Sequence, residues 1–246
     1  MTLKTVIGEV CAFVGVRPPA STVILQPQQD RTMWEMVNLA NEMARRIAYF
    51  TRDWQLLRKI ATFNGDGVTV EFPLPADMKR MLVETNVYSS TQPTIPLTFI
   101  SDPDEWLKRE LNQWQSNPNG AWIISGNKMS IQPVMQTGQT VKFMYLHKNC
   151  ITLGPPNAGV LSDRFAGDDD MFNLNEDLLK LGMIWQWKAY KGGTYAEDIA
   201  NYEDALSMIA GADKPSPTIV GGVPVSGRVA YYGPVPPPDT FVGPGP

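Results

Sequence analysis

The sequence predicts an α+β chain that is mainly α: a helical bundle with a β-strand insertion and an extended C-terminal arm. Three observations predict it. Apolar residues recur at helical spacing in two separated stretches, 1–60 and 172–212, which make the bundle. Between them, residues 61–171 switch to two-residue alternation broken by glycine and proline, with one short helix embedded. Residues 213–246 are rich in proline and glycine and end GPVPPPDTFVGPGP, which suits neither a packed helix nor a central strand.

In order along the chain, Leu3, Val6, Ile7, Val10 and Val14 place a helix over 3–15, and Arg17-Pro18-Pro19 ends it. Asp30 is a suitable cap for a long second helix. Trp34, Val37, Leu39, Ala40, Met43, Ala44, Ile47 and Ala48 give its apolar positions, and it ends between Asp53 and Ile60. ATFNGDGVTVEFPLP then reads as a hairpin, with a Gly-Asp-Gly turn followed by alternation at Val68, Val70 and Phe72. Further strands are expected at 82–88, 94–99, 120–125, 128–132 and 139–146. DPDEWLKRELNQW opens with proline at a tolerated first-turn position and carries Trp106, Leu107, Leu111 and Trp114 on one side. Helical pattern returns near residue 174, with Asn173 as N-cap and Glu176 completing a capping box. Gly192-Gly193 stops that helix, and a last one covers 194–210 with Tyr195, Ile199, Tyr202, Ala205, Leu206 and Ile209.

The stretch LLKLGMIWQWKAYKGG at 178–193 is apolar on more than one side. Leu178, Leu181, Trp185 and Ala189 fill one stripe, while Leu179, Met183, Gln186, Trp187 and Tyr190 spread over much of the rest. Trp185 and Trp187 lie about 200° apart around the helix, so one narrow core cannot take both. The helix must meet a second surface, from its own chain or from another subunit. Trp185, Trp187 and Tyr190 are therefore the candidates for a subunit interface. Tyr231, Tyr232 and Phe241 stand among the prolines of the terminal segment. That segment is either an unstructured tail or a strap whose stiff, extended stretches lose little entropy on docking while the aromatics supply burial.

Composition narrows the function. The chain has 246 residues and a net charge of -4, enough for a sizeable core and weakly acidic. No basic run suggests a nucleic-acid groove. Cys11 and Cys150 are far apart without metal-ligand spacing, as expected of two buried thiols in a reducing compartment. The N-terminus makes a poor signal peptide, and no window reaches the roughly 18 consecutive apolar residues of a membrane span. A soluble cytosolic product is expected.

Chemistry-bearing residues are sparse. His147 is the single histidine and has no evident partner, so a histidine-rich zinc site is excluded. Asp163 and Asp168-Asp169-Asp170 form an acidic loop whose spacing does not match a calcium loop. Either it is solvated or it meets cations of a neighbouring subunit. Glu176-Asp177 and Glu197-Asp198 are carboxylate pairs of the kind a glycosidase uses, but acids at helix starts also complement the helix dipole. Asn64-Gly65-Asp66-Gly67 lacks the lysine and strand–loop–helix setting of a phosphate loop, and no nucleophile elbow is present. No cofactor or metal is expected.

Three segments carry a family likeness: GDGVTVEFPLPADMKRM at 65–81, PLTFISDPDEWLKRELNQW at 96–114, and FNLNEDLLKLGMIWQWKAYKGGTYAEDIANYEDAL at 172–206. Together they resemble the head-to-tail adaptor proteins of tailed bacteriophages, which include the tail accessory factors of short-tailed phages. The likeness covers roughly residues 1–215, and the terminal arm departs from it. It implies a bundle with a β insertion, assembled as a dodecameric ring beneath the portal protein. Such a ring closes the head after DNA packaging and gives the tail its platform. Packaged DNA passes through without sequence-specific binding. The implied partners are the portal, other copies of the chain, and downstream neck or tail proteins. The implied location is the neck of the virion, after synthesis in the host cytoplasm. The arm, with Tyr231, Tyr232 and Phe241, is then a strap to the portal or a neighbour. Alternatives are another neck or tail-completion protein, or a virion-associated cell-wall hydrolase built on Glu176, Asp177 or the 168–170 loop.

Overall fold

The computed structural model describes residues 1–19, 31–83, 85–112 and 120–213. The terminal arm with Tyr231, Tyr232 and Phe241, the expected cap Asp30, and Trp114 lie outside the described residues.

The first helix, α1, is Leu3–Val14. Thr2 caps it by accepting from the Thr5 amide at 3.4 Å, and Gly15 closes it with φ of +72°. It buries Leu3, Val6, Ile7, Val10 and Cys11. Helix α2 is Arg31–Phe50. Its last turn ends where side chains take over an orphan carbonyl. The Ile47 carbonyl accepts from Thr51 Oγ1 and, at 2.7 Å, from Trp54 Nε1. Trp54 is itself buried, so the helix stop and a core side chain are one device.

After a 3-10 turn at Gln55–Leu57 come β1 (Arg58–Asn64), β2 (Glu71–Pro73), β3 (Met78–Met81), β4 (Tyr88–Ser89) and β5 (Thr98–Phe99). Helix α3 (Pro103–Asn112) precedes β6 (Ala121–Ser125), β7 (Lys128–Gln132) and β8 (Thr140–His147). Three short strands follow: β9 (Ile151–Thr152), β10 (Leu161–Ser162) and β11 (Met171–Phe172). The described chain closes with α4 (Glu176–Tyr190) and α5 (Ala196–Ala212).

The strands form three sheets. In the first, β8 pairs with β1 along one edge, from Arg58 opposite Leu146 to Asn64 opposite Thr140, and with β3 and β4 along the other. The second runs β2-β7-β6-β5, antiparallel except for the β5–β6 pair. These two sheets share one apolar core. Phe63 stacks on Phe72 across it with ring centroids 5.1 Å apart, and Phe143 lies 5.5 Å from Phe63. Burying a side chain such as Phe143 contributes about 1.5–3 kcal/mol. The third sheet, β10-β9-β11, belongs to the other core: Ile151 and Phe172 pack with α1, α2 and α4.

This corrects the expectation of a mainly α helical bundle with an inserted β segment. The described residues hold five helices and eleven strands in three sheets, a mixed α+β fold. The physical reason lies in the core around the helices. Leu82, Leu146, Cys150, Ile151, Phe165 and Phe172 are buried in the same cluster as the helix residues, so the helices do not close on one another alone.

Two local expectations also change. The 61–72 segment is no hairpin, because β1 pairs with β8 and β2 with β7. Asp66 turns the chain from one sheet to the next, accepting from the Val68 and Thr69 amides at 2.9 and 2.7 Å. These bonds, with the Thr69 hydroxyl contributing most, hold the Asp66 carboxyl down at about 2. The cap of α4 is Asn175, which accepts from the Leu178 amide at 3.0 Å, and not Asn173. Asn173 instead accepts from the Thr152 hydroxyl, tying β9 to the chain ahead of α4.

Helix α4 packs against α1, α2 and α5. Leu178, Leu179, Gly182, Met183, Ile184 and Trp187 are all buried. Gly182 lets α2 come close, since a Cβ there would fall 2.2 Å from Met43 Cε and the methionine end would have to move. Among the described residues, no helix is long and apolar enough to cross a membrane.

Candidate functional site

The outer face of α2 forms the floor of a cleft of about 820 Å3. Its apolar positions turn inward, so Asn38, Asn41, Glu42, Arg45, Arg46, Tyr49 and Phe50 face out at helical spacing. The β3 strand adds Lys79, the β8–β9 connection adds Lys148, and the segment after β10 adds Asp163 and Arg164. Arg45, Arg46, Lys79, Lys148 and Arg164 face only Glu42 and Asp163, an excess of three positive charges in a chain of net charge -4.

Several contacts fix the walls. The Phe165 amide donates to Asn41 Oδ1 at 2.9 Å, holding the 163–165 segment against α2. The Tyr49 hydroxyl donates to the Lys148 carbonyl and lies 3.8 Å from Cys150 Sγ. Lys79 Nζ sits 5.2 Å from the Tyr49 ring centroid. Burial, then the neighbouring Cys150, push the Tyr49 phenol well above its usual range, and burial pushes the Cys150 thiol up to about 11. Neither group is an activated nucleophile at neutral pH. Arg46 is spread over the Trp185 ring at 5.3 Å, and Glu42 accepts from Gln186 Nε2 at 3.1 Å. Arg45, Lys148 and Arg164 form no ion pair among the described residues. The cleft can thus hold a negatively charged group without first breaking an internal pair at those three side chains.

A second exposed feature joins α2 to the end of α4. Lys191 Nζ bonds Glu35 Oε2 at 2.8 Å and lies 4.5 and 5.1 Å from the Trp187 and Tyr190 rings. Glu35 is held below the usual carboxylate range, chiefly by its hydrogen bond from Lys191. Beside this knot Trp34 is 62% exposed and Tyr190 71% exposed.

The three interface candidates therefore have different surroundings. Trp187 is buried by the chain's own residues. Trp185 is half-buried between Arg46 and Tyr202, whose ring centroid is 6.2 Å away. Tyr190 points outward. Trp185 and Trp187 thus pack on residues of their own chain.

The titratable candidates are placed as structural groups. His147 is buried, accepts from the Asn149 amide at 3.2 Å, and is held below its usual range, first by burial and then by Lys59. Asp170 is buried and accepts from three backbone amides, those of Gly154, Ala166 and Gly167. The backbone around it reaches α1: the Leu3 amide donates to the Asp170 carbonyl at 2.8 Å and the Lys4 amide to the Asp168 carbonyl at 3.1 Å. So the acidic loop braces the first turn of a helix, where negative charge is favoured. Asp163 alone of the acidic loop residues lines the cleft. Glu176 pairs with the N-terminal amine, Asp177 with Lys180 at 2.8 Å, and Asp198 with Lys188 at 2.7 Å, while Glu197 is exposed. Among the described residues, no three His, Cys, Asp or Glu side chains gather as metal ligands.

Sequence reasoning missed the cleft. Its cations come from four separate segments, so no basic run marks it. The available signal was Arg45-Arg46, a cationic pair outside the apolar stripe of a long helix. No protein-family model matches the chain, and no curated protein matches its sequence.

Proposed function

We propose that the chain is a structural virion protein: a head-to-tail adaptor that forms a ring on the portal, closes the head after DNA packaging and provides the tail attachment platform. The observation that carries this reading is the display of large apolar side chains on three helices. Trp34 is 62% exposed, Phe50 82%, Tyr190 71% and Met208 77%. Each of these side chains offers apolar area that a partner could bury. The segments at 65–81, 96–114 and 172–206 supply the specific family likeness.

In this reading Tyr190 touches the neighbouring subunit, while Trp185 and Trp187 hold α4 in place beneath. The C-terminal arm straps the ring to the portal or to the next copy through Tyr231, Tyr232 and Phe241. The chain has no catalytic role. Of the carboxylates on which a hydrolase could be built, Glu176 and Asp177 are in ion pairs and Asp170 accepts from backbone amides. Ring formation on a portal of matching symmetry raises the effective concentration of every weak contact.

Zone sedimentation of the full chain, and of one lacking residues 215–246, with the cognate portal tests the reading. The full chain is expected to co-migrate with the portal and the shortened one to separate from it. Co-migration with another neck or tail ring in place of the portal would reassign the protein to tail completion. Lysis of peptidoglycan in a gel, lost on Glu176→Gln or Asp177→Asn, would overturn the structural role.

A further inference from the structure

We infer that the cationic cleft on α2 receives the acidic outer face of α5 from a second copy of the chain. This rests on the ring reading and says which two surfaces meet. The cleft holds Arg45, Lys148 and Arg164 without an ion pair among the described residues. Helix α5 holds the complement. Glu197, Glu203 and Asp204 are exposed and likewise form no ion pair among the described residues, whereas Asp198 is taken by Lys188.

The spacing fits a helix laid in a groove. Glu197, Asn201, Asp204 and Met208 follow at intervals of four, three and four, and so share one face of α5. That face lies opposite Tyr202, the residue α5 buries toward α4. From Asn38 to Phe50 the cleft floor runs about 18 Å along α2, long enough for three turns of a docked helix. Each surface also has an exposed apolar side chain: Phe50 on the cleft and Met208 on the acidic face. Charge fixes the register and the apolar pair supplies burial. Both helices pack on α4 within one subunit, but the two surfaces are different patches. Joining one patch to the other on the next copy is a head-to-tail contact, the type that closes rings.

The test uses the full chain, unlabelled and heavy-nitrogen-labelled in equal amounts, with and without the cognate portal. A zero-length carbodiimide reagent links lysine to carboxylate only where the two are in contact. The expected product is a mixed-isotope link from Lys79 or Lys148 to Glu197 or Asp204. Charge reversal supplies the second arm. Arg45→Glu with Arg164→Glu, or Glu197→Lys with Asp204→Lys, should weaken assembly by roughly tenfold or more, and all four changes in one chain should restore it. Circular dichroism checks that each variant folds. If rings form while the mixed links lie elsewhere and charge reversal has no effect, this inference is overturned and the ring reading stands. Links from the cleft lysines to the portal, or protection of the cleft by nucleic acid, overturn it in the same way. No assembly with or without the portal removes the ring reading, and this inference with it.

Discussion

Helices α4 and α5 follow one another and have 15 and 17 residues, yet they sit in opposite surroundings. Helix α4 is enclosed by α1, α2 and α5 and buries six residues. Helix α5 buries only Tyr202 and shows to solvent Met208 and three carboxylates that form no ion pair among the described residues. An apolar residue on a helix is thus either covered by its own chain, as on α4, or left at the surface, as at Met208. Composition alone does not separate the two cases. The partner on each side does.

The comparison can be broken most directly at Trp187. Trp187→Ala should cost about 3–5 kcal/mol, read as a fall in the urea midpoint, because the removed ring leaves a cavity in the core around α4. A loss below about 1 kcal/mol would mean that Trp187 is free for another subunit after all. Gly182→Val tests how tightly α4 is enclosed. The added atoms meet Met43 and Tyr202, and overpacking there should cost about 1–3 kcal/mol. The side of α5 facing α4 should respond weakly. Tyr202 is buried and its hydroxyl has no hydrogen-bond partner among the described residues. Tyr202→Phe should therefore leave stability within about 1 kcal/mol or raise it. The smallest effect is expected at Met208. Met208→Gln should leave the urea midpoint within about 0.5 kcal/mol while weakening assembly, which separates fold from function at one residue.

The helices were legible in the sequence because each carries its own signal. The 3.6 period marks α1, α2 and α4, and Arg17-Pro18-Pro19 and Gly192-Gly193 mark helix ends. The strands β6 and β7 were legible too, as the expected strands 120–125 and 128–132, which the structure pairs through a turn at Gly126. Pairing at a distance was not. Strand β1 finds β8 about 80 residues later, and nothing near Gly65-Asp66-Gly67 reveals that the next strand joins a different sheet. The third sheet has strands of two residues, too short for any alternation to appear. That sheet is what turns an expected bundle into a mixed fold.

The site was legible only at its edges. Trp185, Trp187 and Tyr190 were distinguished by periodicity, but which of them is covered depends on where α1, α2 and α5 land. In the acidic run 168–170, sequence could not show that Asp170 turns inward to hold three amides. The cleft was hidden for the opposite reason, since Arg45, Lys79, Lys148 and Arg164 become neighbours only in the fold.

The central claim is that the outward helical faces belong to an assembly on the portal. Light scattering of the full chain, alone and mixed with its cognate portal, measures this as a mass. The account predicts a complex with about one copy per portal subunit. A chain that stays at 27.3 kDa with every virion component offered to it would contradict the account.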